Sequence, residues 1–219
     1  MKTQILAIGI SEETGKKFSA ALKNNSDARK GLINYFNRLL SLGINTVLVI
    51  LGGSWRFDVI TSLMGKNYDI ELIMAHNSNW VNGSGTIIRM ISKLINNSYI
   101  FCYDVLPKLS ILKRILYEKN GNICYLAREK ISIGLGYAYE KNGLVIKVGD
   151  IIGHNAYLTG IFKFHSIVHL YARVIDSLFV TYELKDFLYW FNRWVGFKAN
   201  YISPDVVLLS NLDLEYQKL

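Results

Sequence analysis

Short apolar runs alternate with helix-period stripes through the first half of the chain, and that rhythm limits the fold more than any other feature. "QILAIG", Gln4 to Gly9, reads as a strand, and the polar stretch "ISEETGKKF" after it reads as a loop. Gly31–Leu42 sets Leu32, Tyr35, Phe36, Leu39 and Leu40 on one helical stripe, and Gly43 is placed to end it. Asn45–Leu51, "NTVLVIL", has the composition of a strand buried on both faces. Trp55–Met64 reads as a helix closed by Gly65, and Asp69–Ala75 as the next strand. The polar segment "HNSNWVNGSG" leads into a helix over Thr86–Ile95. Ser98–Tyr103 is a strand that stops at Asp104, and Leu109–Tyr117 is helical. Strands separated by helices pair in parallel, with helices on both faces.

The texture changes after Asn122. "ICYLA", "IGLGYAY", "GLVIKVG" and "AYLTGIFKF" are strands with little helix between them, and "EKNG", Glu140–Gly143, is a hairpin turn. Helices over Ser166–Leu178 and Tyr182–Val195 follow, then a strand near Tyr201, an apolar run Val206–Leu209 and a short terminal helix. No Pro- or Ser-rich linker interrupts the pattern. The expectation is one α/β domain over 1–219 in three layers with a mixed, mainly parallel sheet. Residues 1–121 would form a nucleotide-binding half and 122–219 an acceptor or lid half.

Composition removes several classes. Half of the chain is hydrophobic (51%), which excludes a disordered chain. The longest apolar run, Thr46–Leu51, is far too short to span a bilayer, which takes about 20 residues. The N-terminus reads as a first strand and not as a secretory signal. Cys102 and Cys124 sit in apolar strands, as buried thiols in a reducing cytoplasm would. The net charge of +8 favours anionic partners, but the cations are scattered and no arginine run interleaves with aromatics, which argues against nucleic acid. His165 and His169 are four apart on a helix without the glutamate of a zinc motif, and they read as surface or helix-end residues. The aromatic run "YWFNRWVGF", Tyr189–Phe197, reads as core or subunit contact.

The order of several weak motifs carries more than any one of them. "ILAIG" (Ile5–Gly9), "KGLINYFNRLLSLGI" (Lys30–Ile44) and "VLVILGG" (Val47–Gly53) are followed by "NSNWVNGSGTII", "YIFCYDVL", "NAYLTGIFKF" and a terminal "DLE". This order resembles the nucleotidyltransferases that activate sugar-1-phosphates and alcohol phosphates, most of all the short inositol-1-phosphate and choline-phosphate cytidylyltransferases. The resemblance covers nearly the whole chain. It implies a Rossmann-like nucleotidyltransferase domain in which a phosphorylated sugar or polyol attacks the α-phosphorus of an NTP, releasing pyrophosphate.

Such chemistry rests on positioning and charge neutralisation, with Mg²⁺ held by carboxylates. By the resemblance, Ala7 and Gly9 would lie against the nucleotide, and Asn82, Gly83, Ser84 and Gly85 against its base. Lys23 would steady phosphate, Asp104 would hold Mg²⁺, and Thr159 and Gly160 would face the acceptor. The chain departs from the family at several points. The family's glycine-rich loop with its arginine reads Gly9-Ile10-Ser11-Glu12-Glu13 here. Where the family has the aspartates of its second metal position stand Val207 and Leu209, with Asp205 just upstream and Asp213 placed to cap a helix. An aliphatic side chain cannot ligate Mg²⁺. Two functions therefore stand open: an atypical nucleotidyltransferase, or a catalytically silent relative. The second would bind a nucleotide or nucleotide-sugar, or regulate or pair with an active subunit in a homo- or hetero-oligomer.

Overall fold

In the computed structural model, which describes residues 4–53, 56–66, 68–118, 121–131, 133, 135–149, 152–204 and 206–219, the strand–helix rhythm of the first half is realised. The chain divides into two units that interleave along the sequence. One comprises Met1–His76, Cys102–Glu118 and Asp205–Leu219; the other comprises Asn77–Phe101 and Lys119–Pro204. Trp55 and Asp205 lie outside the described residues.

In the first unit β1 (Gln4–Ile10) pairs in parallel with β2 (Ile44–Leu51), and β2 pairs in parallel with β3 (Glu71–His76). From Val47 to Leu51 every residue of β2 is buried, because both of its faces are covered. The expected polar loop after Gly9 is instead α1 (Glu12–Asn24), which starts after the single residue Ser11. Local chemistry explains the helix. The Ser11 side chain caps it by accepting from Thr14 N at 3.3 Å. Glu12 and Glu13 occupy its first turn, each paired four residues on with Lys16 and Lys17. Phe18, Ala21 and Leu22 form its buried stripe.

Helix α2 (Ser26–Leu39) is capped by Asn25, whose side chain accepts from Asp27 N and Ala28 N. A 3₁₀ turn, Leu40–Leu42, extends it, and Gly43 ends it at φ 83°. α3 (Arg56–Leu63) precedes β3. The segment that returns to this unit carries the end of β4 (Tyr99–Tyr103), Asp104, β5 (Val105–Pro107) and α5 (Leu109–Tyr117).

In the second unit β9 (Ala156–Phe164), β6 (Ile123–Ala127), β10 (Phe197–Tyr201), β8 (Leu144–Gly149) and β7 (Tyr137–Lys141) lie in that order, with β6 parallel to β10 and the pairs β9–β6, β10–β8 and β8–β7 antiparallel. β7 (Tyr137–Lys141) and β8 (Leu144–Gly149) form the expected hairpin. Its turn residues Asn142 and Gly143 both have positive φ, 55° and 76°, as a primed turn requires. β9 (Ala156–Phe164) bulges opposite Tyr125, where Gly160 takes φ 79°. Helices α4 (Thr86–Leu94), α6 (Val168–Leu178) and α7 (Leu184–Trp194) belong to this unit. Phe162, Phe164, Phe191 and Phe197 pack ring on ring in its core. Cys102 and Cys124 are buried free thiols, each pushed up by desolvation. The first unit also holds β11 (Val206–Leu208), antiparallel to β5, and the terminal α8 (Leu212–Glu215).

Tyr35 ties α2 to the segment after Asp104: its buried hydroxyl donates to Pro107 O at 2.7 Å. Tyr35→Phe removes that donor and strands a buried carbonyl. A loss of about 1–3 kcal/mol of stability is expected, read as a lower urea midpoint at an unchanged m-value.

Candidate functional site

Asp104 stands where strand β4 ends, at φ 59°, a left-handed conformation that aspartate tolerates better than most side chains. The backbone around it leaves little freedom. Its N–H donates to Gly9 O at 3.0 Å, and its own carbonyl accepts from Leu209 N at 3.0 Å. Its Oδ1 accepts from Ser11 N at 2.7 Å. Ser11 is the N-cap of α1, so the carboxylate rests on the positive end of that helix. Burial pushes the Asp104 carboxyl up to about 6, against the hydrogen bonds from Ser11 and Thr14, which lower it; Glu13 nearby adds a further small rise.

The fit test for Mg²⁺ is whether oxygen donors converge beside Asp104. Val207 and Leu209 are buried aliphatics. Glu13 is exposed and paired with Lys17 at 3.7 Å. Among the described residues no group of three or more His, Cys, Asp or Glu side chains is placed to hold a metal ion. One carboxylate oxygen of Asp104 already serves a backbone amide, and neither Val207 nor Leu209 can supply a second donor to a cation there.

The other residues singled out in the sequence fall into separate places. Ala7 and Gly9 are buried in β1, and the Gly9 carbonyl is taken by Asp104. Lys23 is exposed in the last turn of α1. At 1.5 Å of rise per residue its Cα lies roughly 18 Å along the helix from Ser11, so the structure does not bring Lys23 and Asp104 together. Thr159 and Gly160 form the β9 bulge. The Thr159 hydroxyl donates to Tyr125 O at 2.7 Å and accepts from Ile161 N at 3.2 Å.

The segment Asn82–Gly85 does lead into a helix N-terminus, but its own unit fills it. Tyr182 N donates to Asn82 O at 2.9 Å, and Gly85 N donates to Tyr182 O at 3.1 Å. Ser84 N donates to the Glu183 carboxylate at 3.1 Å, the Ser84 hydroxyl donates to the same oxygen, and Leu184 N donates to that hydroxyl at 2.9 Å. A Cβ at Gly83 would stand 2.2 Å from Tyr182 O, and one at Gly85 2.3 Å from the Tyr182 ring. The glycines admit Tyr182; the amides of Ser84 and Gly85 are spent on residues 182–183.

His169 stands in the first turn of α6, a helix end as the sequence reading allowed, and is not at the surface. It is buried, with Nδ1 at 3.0 Å from the Ser92 hydroxyl and Nε2 at 2.9 Å from Asn97 O. Burial lowers its basicity. His165 is exposed, as read from the sequence. A cleft of about 590 Å³ lined by Gln4, Gly43, Lys113 and Tyr117 opens at the N-terminal end of β1. Ligands of α/β sheets bind at the opposite, C-terminal ends of the strands, where Asp104 lies.

No family profile matches the sequence, and no curated protein matches it. Solved structures do. The inositol-1-phosphate CTP transferase of T. maritima superposes with a TM-score of 0.70 over 99% of this chain and 95% of that one, at 15% identity. A Bacillus anthracis protein assigned as a glucose-1-phosphate thymidylyltransferase, solved with sucrose, gives 0.66 over 91% and 87%, at 16% identity. HddC of Yersinia pseudotuberculosis, complexed with GMP-PN, gives 0.64 over 99% and 97%, at 11% identity. The chain has the fold of the sugar-phosphate nucleotidyltransferases. At such identities the likeness shows the fold alone.

Asp104 sets a pH dependence. Its carboxyl titrates near 6 when folded and near 4 when unfolded, so the folded state binds the proton more tightly. The stabilisation is full below about pH 4 and is lost as pH rises through about 6, on the order of 3 kcal/mol. Asp104→Asn keeps an acceptor for Ser11 N and tolerates the left-handed backbone. Denaturation curves across pH 4 to 7 should flatten in that variant, with stability at pH 7 equal to or above that of the parent. Asp104→Ala loses both features and should be less stable than Asp104→Asn at every pH.

Backbone crowding gives a second test. Gly83→Ala, at φ 101° and against Tyr182 O, should lower the thermal midpoint sharply. Gly65→Ala, also at positive φ but in open space, should lower it far less.

Proposed function

We propose that this chain acts by binding and not by group transfer: a catalytically silent relative of the sugar-phosphate nucleotidyltransferases that pairs with or regulates another protein. The observation that carries this reading is the Ser11 N–H to Asp104 bond across a one-residue β1–α1 turn. An NTP-consuming site on this fold needs a loop of free amides for the leaving pyrophosphate and paired carboxylates for its cation. Here a helix replaces the loop, its N-terminus is occupied by the chain's own carboxylate, and Val207 and Leu209 supply no donor. The internal bonding of Asn82–Gly85 supports the same reading, since amides suited to a base are already satisfied.

The neighbours solved with GMP-PN and with sucrose supply the ligand classes to try. A pyrophosphate-release assay with each NTP, Mg²⁺ and a panel of phosphorylated sugars and polyols should give no release above a no-protein control. Release that disappears in Asp104→Ala but persists in a surface control such as Lys66→Ala would overturn the proposal and establish the atypical transferase.

A further inference from the structure

Three strands of the second unit gather lysines and tyrosines that the sequence scatters. Residues directly opposite each other in a sheet share a face, so the register decides which side chains meet. Lys141 of β7 pairs with Leu144 of β8, and Leu144 pairs with Lys198 of β10, which makes one row. Tyr139 pairs with Lys147 in the next row. Tyr137 pairs with Gly149 and with Tyr157 of β9 in the row beyond. The register shift between Tyr139 and Glu140 places its extra residue, Ile146, in β8, so β7 itself alternates regularly. Tyr137, Tyr139 and Lys141 therefore point to one face. The opposite face is the packed one. There Val145 pairs with Phe197, and Ala138 with Val148 and Ala156, all of them buried. Asn192 of α7 donates to Val145 O on that side at 3.1 Å.

On the open face Lys141, Lys147 and Lys198 are exposed, Leu144 is 52% exposed, and Tyr137, Tyr139 and Tyr157 are partly exposed. At one end Tyr137 stacks on His154 with ring centroids 4.0 Å apart and lies 5.5 Å from Tyr157. The charge of this face has one sign. Glu140 pairs with Val145 and so belongs to the packed face; its carboxylate accepts from Gly143 N at 2.7 Å and from the Tyr201 hydroxyl at 3.3 Å. Arg128 lies over the Tyr201 ring at 3.9 Å, and Tyr201 alternates along β10 with the buried Phe197, on the packed side. Glu129 and Lys130, next in the chain, offset each other. Among the described residues of β7, β8 and β10, the open face carries lysines and no acid. A two-fold contact with a second copy would set lysine against lysine. A polyanion meets no such opposition. The rings narrow the choice further. Flat, accessible tyrosines form a platform on which unpaired bases stack, while neighbouring lysines reach the phosphates that join those bases. A duplex hides its bases, and an acidic protein segment offers the rings no flat partner.

We infer that the open β7–β8–β10 face binds single-stranded nucleic acid. Bases stack on Tyr137 and Tyr139, and Lys141, Lys147 and Lys198 contact the phosphates. The sequence reading set nucleic acid aside because the cations are scattered along the chain; strand pairing is what brings three of them together. This inference stands independently of the reading of Asp104.

The full chain is titrated against a short fluorescein-labelled oligouridylate and the matching oligothymidylate, with binding read as anisotropy. Saturable binding to at least one strand is expected, and the comparison tells RNA from DNA. Three phosphate contacts on a single strand should make log K fall by roughly 2 for each tenfold rise in salt. Lys141→Gln, Lys147→Gln and Lys198→Gln together should weaken binding at least about tenfold and flatten that slope. Tyr139→Ala should weaken it at least about fivefold at an unchanged slope, whereas Tyr139→Phe, which keeps the ring, should bind as the parent does. Circular dichroism with thermal unfolding confirms that the variants fold. Absence of binding to both strands overturns the inference, and so does a Tyr139→Ala variant that binds as tightly as the parent. Equal or tighter binding of a duplex of the same length, of poly-L-glutamate or of heparin also overturns it, since each would assign the face to polyanions that present no free bases.

Discussion

A carboxylate seated on the N-terminus of a helix is the constraint on which the first unit turns. The Asp104 side chain reaches Ser11 N, its backbone N–H reaches Gly9 O, and its carbonyl receives Leu209 N. One residue thus joins the end of β1, the start of α1 and the segment that follows β11. Each bond is ordinary, worth about 1 kcal/mol net for a neutral pair and more where the carboxylate is ionised. Together they fix a left-handed residue that would otherwise be strained, and they consume the helix end at which an anion from solution would bind.

The same economy recurs in the second unit. Ser84, Glu183 and Leu184 close a circuit in which a hydroxyl and a carboxylate satisfy two helix starts at once. Asp186 completes the cap of α7. His169, Ser92 and Asn97 do the same for the end of α4 and the turn beyond it. In each case the polar groups are aimed at the chain itself.

Much of this was legible in the sequence, for reasons that can be named. β2, the stripe of α2 with Gly43, and the Asn142–Gly143 hairpin are written in local pattern and appear in the structure, although α2 begins at Ser26, five residues before the Gly31 at which the stripe was read to start. α1 was also written locally, in a serine followed by two glutamates and, four residues on, two lysines. The likeness to a glycine-rich phosphate loop masked that signal. The site was less legible because its partners are distant in the chain: Asp104 is 93 residues from Ser11, and Ser84 is 99 from Glu183. No local rule reports such meetings. The burial of His169, though not its place at a helix end, is illegible for the same cause, since its bonds come from Ser92 and Asn97 on another helix and the turn after it.

The bulge at Gly160 sets three residues of β9 against the single Tyr125, so Leu158 faces Leu126 and Phe162 faces Cys124. Two added residues are one full period of a strand, and Leu158 and Phe162 therefore keep a common face. Phe162 and Phe164, with rings 5.8 Å apart, stay in step with the strand before them. Length at this point can change by pairs of residues and leave the phenylalanines seated, whereas a single added or lost residue would turn them to the other face.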